Sequence, residues 1–123
     1  MLGPEYIRQL GESMCEGEHL KVATLATPLT TVDDLLDPSV VKVVFSKRNF
    51  AIYFSRSVIP WVAHEKLETL PDNQHFKHIG IYGYRVSFLR NMLDWGDCPL
   101  ENMESLEQLR ILWNGGRIYV SLV

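Results

Sequence analysis

Apolar residues recur along this chain in two rhythms, and the places where one gives way to the other mark its elements. Ile7, Leu10 and Met14, separated by Arg8, Gln9, Glu12 and Ser13, keep helical spacing, so 5–16 reads as an amphipathic helix stopped near Gly17. The run 21–26 (KVATLA) is almost continuously apolar and is closed by Pro28, as expected of a strand buried on both faces. Thr31 is placed to cap a short turn over 32–36, with Asp34 favourable at its start and Asp37-Pro38 as its stop. Segments 40–45 and 50–55 are strand-like and are joined by Ser46-Lys47-Arg48-Asn49, which predicts a hairpin with Asn49 in the left-handed region. The polar stretch 61–76 carries Pro71-Asp72-Asn73 and reads as a long surface loop.

Strand character returns over 78–85. Period-two alternation sets His78, Gly80, Tyr82 and Tyr84 on one face and Ile79, Ile81, Gly83 and Arg85 on the other. A short helix follows over 87–95. Pro99 then opens a longer helix in which Leu100, Met103, Leu106 and Leu109 recur at close to helical spacing, ended by Gly115-Gly116. A final strand occupies 117–123. Doubly buried strands mixed with amphipathic helices predict an α/β fold: a mixed, mainly parallel sheet with flanking helices and a β-hairpin subregion. No linker or repeat interrupts 1–123, so it reads as one domain, and a partial one, because its sheet starts after a helix and halts at a strand.

Charge and composition narrow the partners. The net charge is -3 with the cations dispersed, which leaves no electrostatic footprint for DNA or RNA. No apolar run approaches the roughly 20 residues that cross a bilayer, and Met1-Leu2-Gly3-Pro4-Glu5 lacks the pattern of a signal peptide, so the expected location is the cytoplasm. Cys15 and Cys98 lie far apart in sequence, which argues against a structural disulfide.

Chemistry is concentrated at few positions. Arg56 stands at the mouth of an apolar strand between Tyr53-Phe54 and Ile59-Pro60-Trp61, where a guanidinium can grip a planar carboxylate through paired hydrogen bonds. A strand-end arginine can equally spend its donors on solvent or a carbonyl. His75 and His78 are offset by three, which in extended chain points them to opposite faces and disfavours a metal pair. Glu101, Glu104 and Glu107 fall on neighbouring turns of the expected helix, the pattern of a solvated face, while Glu107 with Gln108 offers acceptors and an amide donor suited to sugar hydroxyls. Gly80 with Gly83 is too sparse for a dinucleotide loop. Phosphate-binding glycine loops and serine-nucleophile signatures are absent from these residues.

Taken in order, Val22 to Pro28 (VATLATP), Val41 to Val44 (VKVV), Tyr53 to Trp61 (YFSRSVIPW), His78 to Arg85 (HIGIYGYR) and Leu106 to Arg110 (LEQLR) resemble the CMP-Kdo synthetases, the 3-deoxy-manno-octulosonate cytidylyltransferases. The resemblance covers the chain from about Ile7 onward. It implies a Rossmann-like nucleotide-diphospho-sugar transferase fold and the reaction CTP plus Kdo to CMP-Kdo plus pyrophosphate, serving lipopolysaccharide or capsule assembly in the Gram-negative cytoplasm. Carried over by position, Arg56 would bind the Kdo carboxylate, His78 and Tyr82 would line the sugar pocket, and Glu107 with Gln108 would hold its hydroxyls.

The same resemblance implies Mg²⁺ and CTP in the complete enzyme, held by a basic phosphate loop and two aspartates for which this sequence has no counterpart. The expectation is therefore a fragment: the sugar-binding, homodimer-forming portion, with no catalytic residue, metal or cofactor held by this chain itself. The alternative is a non-catalytic Kdo-binding or dimerisation module, inactive alone.

Overall fold

A computed structural model describes residues 4–16, 20–70 and 72–123. The helix stop at Gly17 and the Pro71 of the expected surface loop lie outside the described residues. The elements run α1 (Pro4–Glu16), β1 (Val22–Pro28), α2 (Val32–Leu36), β2 (Lys42–Phe45), β3 (Ala51–Ser55), a 3₁₀ helix (His64–Thr69), β4 (Phe76–Tyr84), α3 (Val86–Met92), α4 (Pro99–Glu104), α5 (Leu109–Trp113) and β5 (Tyr119–Leu122).

The strands form one sheet in the order β3-β2-β4-β1-β5. β1 lies between β4 and the edge strand β5, and its alternation divides the interior into two layers. Val22 and Ala26 face a core with Phe54, Phe88, Leu109, Ile111 and Val120, whereas Ala23 and Leu25 face a second core with Leu10 and Met14 of α1. Burial on both faces thus follows from the continuous apolar run. Gly83 lets α1 lie this close, because a Cβ there would come within 3.1 Å of Met14 Cγ.

Strand direction departs from expectation. The sheet is mixed, but only β1 and β5 run parallel, while β1–β4, β2–β4 and β2–β3 are antiparallel. Continuous hydrophobicity reports that both faces are covered, and a doubly covered antiparallel strand reads the same way. The hairpin is as expected, with Asn49 at φ 67°, and Thr31 accepts from the Asp34 N–H at 3.2 Å to cap α2. The stretch expected to be a bare loop holds the 3₁₀ helix, and its last residue, Phe76, already belongs to β4.

The most consequential difference lies after Pro99. The single long helix is two short ones, broken at Ser105, which adopts φ 57° and ψ 45°. Leucine spacing could not reveal the break, since Leu100 before it and Leu106 and Leu109 after it still face one core. The row of glutamates is dissolved by the same break. Glu101 pairs with Arg110 at 2.6 Å, Glu104 turns toward β3, and Glu107 is left on the segment between the helices. Glu101 and Glu104 each take donors from their own surroundings and Glu107 alone stays exposed, so the three no longer make one solvated face.

Candidate functional site

The elements place a cleft of about 370 Å³ over one face of β4, walled on its other side by the residues that follow the Ser105 break. His78, Gly80, Tyr82 and Tyr84 line it together, as their alternation requires, and Glu107 and Gln108 line the opposite wall. Four of the five residues singled out from the sequence therefore meet here, although His78 and Gln108 are 30 positions apart.

The β4 wall is aromatic. Phe54 meets the His78 ring edge-on at a centroid distance of 4.8 Å, Tyr82 follows at 5.4 Å from His78, and Tyr84 stacks on Tyr82 at 5.7 Å. This ladder limits the freedom of each ring. Burial lowers the His78 pKa to about 4, so its imidazole is neutral at ordinary pH. Burial also raises the Tyr82 and Tyr84 hydroxyls, reinforced by the Glu107 carboxylate, so both remain protonated donors. A neutral imidazole, two phenols, a carboxylate and a primary amide make a surface suited to hydroxyl groups.

Beneath His78 the sheet is irregular. Thr24 of β1 pairs with Tyr82 whereas Leu25 pairs with Ile79, so Gly80 and Ile81 form a bulge in β4. The fully buried Thr24 hydroxyl fills it, lying 2.7 Å from the Ile81 carbonyl and 2.9 Å from His78 Nε2.

Arg56 stands apart from the residues that line the cleft. Its guanidinium donates to three carbonyls: Nε to Glu104 at 2.9 Å, Nη1 to Pro38 at 3.0 Å and Nη2 to Ser105 at 3.2 Å. Ser105 itself lies on the cleft rim, so Arg56 braces the rim from behind. His75 and His78 diverge as their offset demands, His75 Nε2 meeting the Pro60 carbonyl at 2.9 Å. Among the described residues no group of three or more His, Cys, Asp or Glu side chains is arranged to hold a metal ion. Cys15 and Cys98 are both free thiols.

Sequence reasoning passed over several contributors. Thr24, a polar residue amid an apolar strand, was a visible signal. So was Lys42 in VKVV, which is completely buried and donates to the carbonyls of Asp37, Val40 and Arg56 at 2.9, 2.6 and 2.8 Å. Arg110 also reaches the cleft, held behind it by both oxygens of Glu101. Nothing in the local pattern marks Glu104, whose acceptors meet Ser55 and Tyr53 hydroxyls some 50 residues away in sequence. A second depression of about 310 Å³, between Lys21, Phe50, Trp95 and Arg117, gathers none of the site residues.

Comparison with known proteins bears on the family and the fold. Residues 1–118 match the family described as cytidylyltransferase. The chain is 48% identical over 123 residues to a 3-deoxy-manno-octulosonate cytidylyltransferase of Coxiella burnetii, which covers 98% of this chain and 49% of that protein. It is 41% identical over 122 residues to the enzyme of the same name from Idiomarina loihiensis, covering 96% of this chain and 48% of that one. Among solved structures, a CMP:2-keto-3-deoxy-manno-octonic acid synthetase complexed with CTP superposes with a TM-score of 0.89 at 36% identity, over 100% of this chain and 48% of the other. The chain thus spans about half the length of the curated relatives it matches.

Proposed function

Since the chain belongs to the cytidylyltransferase family, we propose that its cleft is the acidic-sugar half of an active site that joins CTP and Kdo into CMP-Kdo and pyrophosphate. The observation that carries this reading is the convergence of His78 and Tyr82 of β4 with Glu107 and Gln108 of the segment before α5 into one cleft. Hydroxyl-directed groups line it, and among the described residues Arg110 is the one cationic side chain that does so. The contribution of these residues is to bind and orient the sugar, which removes orientational freedom before the anomeric hydroxyl meets the α-phosphorus.

Arg56 remains the proposed partner of the sugar carboxylate, met at the Ser105 rim, since three of its five guanidinium hydrogens are spent on carbonyls and two are left. Mg²⁺ belongs to the triphosphate side in this proposal. The described residues do not form its site. Homodimerisation and a Gram-negative cytoplasmic setting complete the reading.

Titration of the ¹⁵N-labelled chain with Kdo tests it. The amides of Tyr82, Glu107 and Gln108 are expected to shift, with CTP leaving them in place and no pyrophosphate released by these 123 residues. Shifts confined to the second depression, or none at saturating Kdo, would overturn the assignment. Light scattering reports the oligomer, a monomer at all concentrations being the adverse result.

A further inference from the structure

The Thr24 hydroxyl has one proton and three neighbours that could receive it: the Ile81 carbonyl at 2.7 Å, the Ile79 carbonyl at 3.3 Å and His78 Nε2 at 2.9 Å. Two oxygens at 2.7 Å repel unless a proton lies between them, so that proton belongs to the bond with Ile81. What remains on the Thr24 oxygen is acceptor capacity. A bare Nε2 facing it at 2.9 Å would set lone pair against lone pair, so Nε2 carries the ring proton and donates it.

In a neutral imidazole the other nitrogen is then unprotonated. Among the described residues His78 Nδ1 has no hydrogen-bond partner, and the only unpartnered side-chain nitrogen or oxygen sealed from solvent is His75 Nδ1. Nδ1 of His78 is therefore not fully sealed from solvent, on a ring that lines the cleft. Phe54 on one side and Tyr82 on the other oppose rotation of the ring.

We propose that Thr24 is a positioning residue that holds His78 as the Nε2–H tautomer, leaving Nδ1 in the cleft as a bare acceptor for a hydroxyl of the bound ligand. The consequence is directional. An acceptor repels carboxylate and phosphate oxygens, so an acidic sugar enters with its polyol side toward His78 and its carboxylate away, toward the Ser105 rim. Glu107, an acceptor only when ionised, adds to the same bias. The tautomer follows from the protein alone, whereas the orientation rests on the sugar-site reading above.

Two arms of one NMR experiment separate them. In the ¹⁵N-histidine-labelled chain without ligand, the His78 ring is expected to show a protonated Nε2 and an unprotonated Nδ1. Thr24→Ser preserves this pattern, and Thr24→Val mixes the two tautomers. A protonated Nδ1 in the wild-type chain, or the same tautomer in Thr24→Val as in the wild type, would overturn the positioning role; the wild-type measurement stands even if Thr24→Val does not fold. On adding Kdo, the Nδ1 resonance should move while Nε2 stays protonated, and Thr24→Val should weaken Kdo about tenfold with Thr24→Ser within about twofold of wild type. Movement of the Glu107 and Gln108 amides without movement of Nδ1 overturns the orientation and spares the sugar reading. No Kdo response anywhere in the cleft overturns both, leaving the ligand-free tautomer to be judged by the first arm.

Discussion

Arg56 and Glu104 touch twice without forming a guanidinium–carboxylate pair: the Arg56 backbone N–H donates to Glu104 Oε1 at 3.2 Å, and Arg56 Nε donates to the Glu104 carbonyl at 2.9 Å. Lys42 completes the arrangement by donating to the Arg56 carbonyl at 2.8 Å. The Arg56 peptide is therefore held at its N–H end by a carboxylate and at its C=O end by an ammonium. Through the Arg56 side chain the same restraint reaches Ser105, where the chain turns left-handed to bring Glu107 and Gln108 into the cleft.

Replacing Glu104 by Ala strands the Ser55 hydroxyl, the Tyr53 hydroxyl and the Arg56 N–H together. The expected loss is about 2–3 kcal/mol, the scale of unmet hydrogen bonds to a charged group in a partly buried setting. Urea denaturation of Glu104→Ala measures it. A midpoint equal to that of the wild type would show the three donors to be satisfied by water.

Lys42→Met keeps the aliphatic stem and removes the ammonium. Three carbonyls that converge on a completely buried nitrogen then lose their common donor. Desolvation lowers the Lys42 pKa, yet the three acceptors and nearby Asp37 favour its charged form. The expected destabilisation is about 3 kcal/mol or more, since partner removal costs more than the net worth of the bonds. Equilibrium unfolding decides it, and a change below about 1 kcal/mol is incompatible with the geometry.

Arg56→Lys is expected to behave like Arg56→Ala in Kdo binding. An ammonium is a point charge and cannot bridge carbonyls contributed by Pro38, Glu104 and Ser105 while also meeting a carboxylate. Both variants should weaken Kdo by about tenfold or more, read by NMR titration or calorimetry. Wild-type affinity in Arg56→Lys would reduce Arg56 to a generic cation.

His78 makes stability depend on pH in a defined window. Its folded pKa of about 4 lies below the ordinary histidine value of 6.5, so between these the unfolded chain binds more protons than the folded one. Stability is complete above pH 6.5 and falls as pH drops toward 4, by up to about 3 kcal/mol. Below that range Glu101 adds to the loss, because Arg110 holds its pKa down and protonation ends their pairing. His78→Asn should flatten the decline between pH 6.5 and 4.5, followed by denaturant midpoints across the series. An equal decline in the variant would assign the effect elsewhere.

What the sequence determined by itself is local or periodic. The hairpin over Ser46 to Asn49, the Thr31 cap and the two faces of β4 depend on neighbouring backbone geometry and side-chain alternation, and each is present in the fold. The grouping of His78 with Tyr82, and of Glu107 with Gln108, was legible for the same reason. Tertiary structure alone decided how the groups face one another. Strand direction came from the order β3-β2-β4-β1-β5, which hydrophobicity does not encode, and the break at Ser105 accompanies hydrogen bonds from Arg56, nearly 50 residues earlier. The partners of Thr24, Lys42 and Glu104 are likewise distant in sequence, and a hydrogen bond is specified by where its two ends meet in space, which no local pattern records.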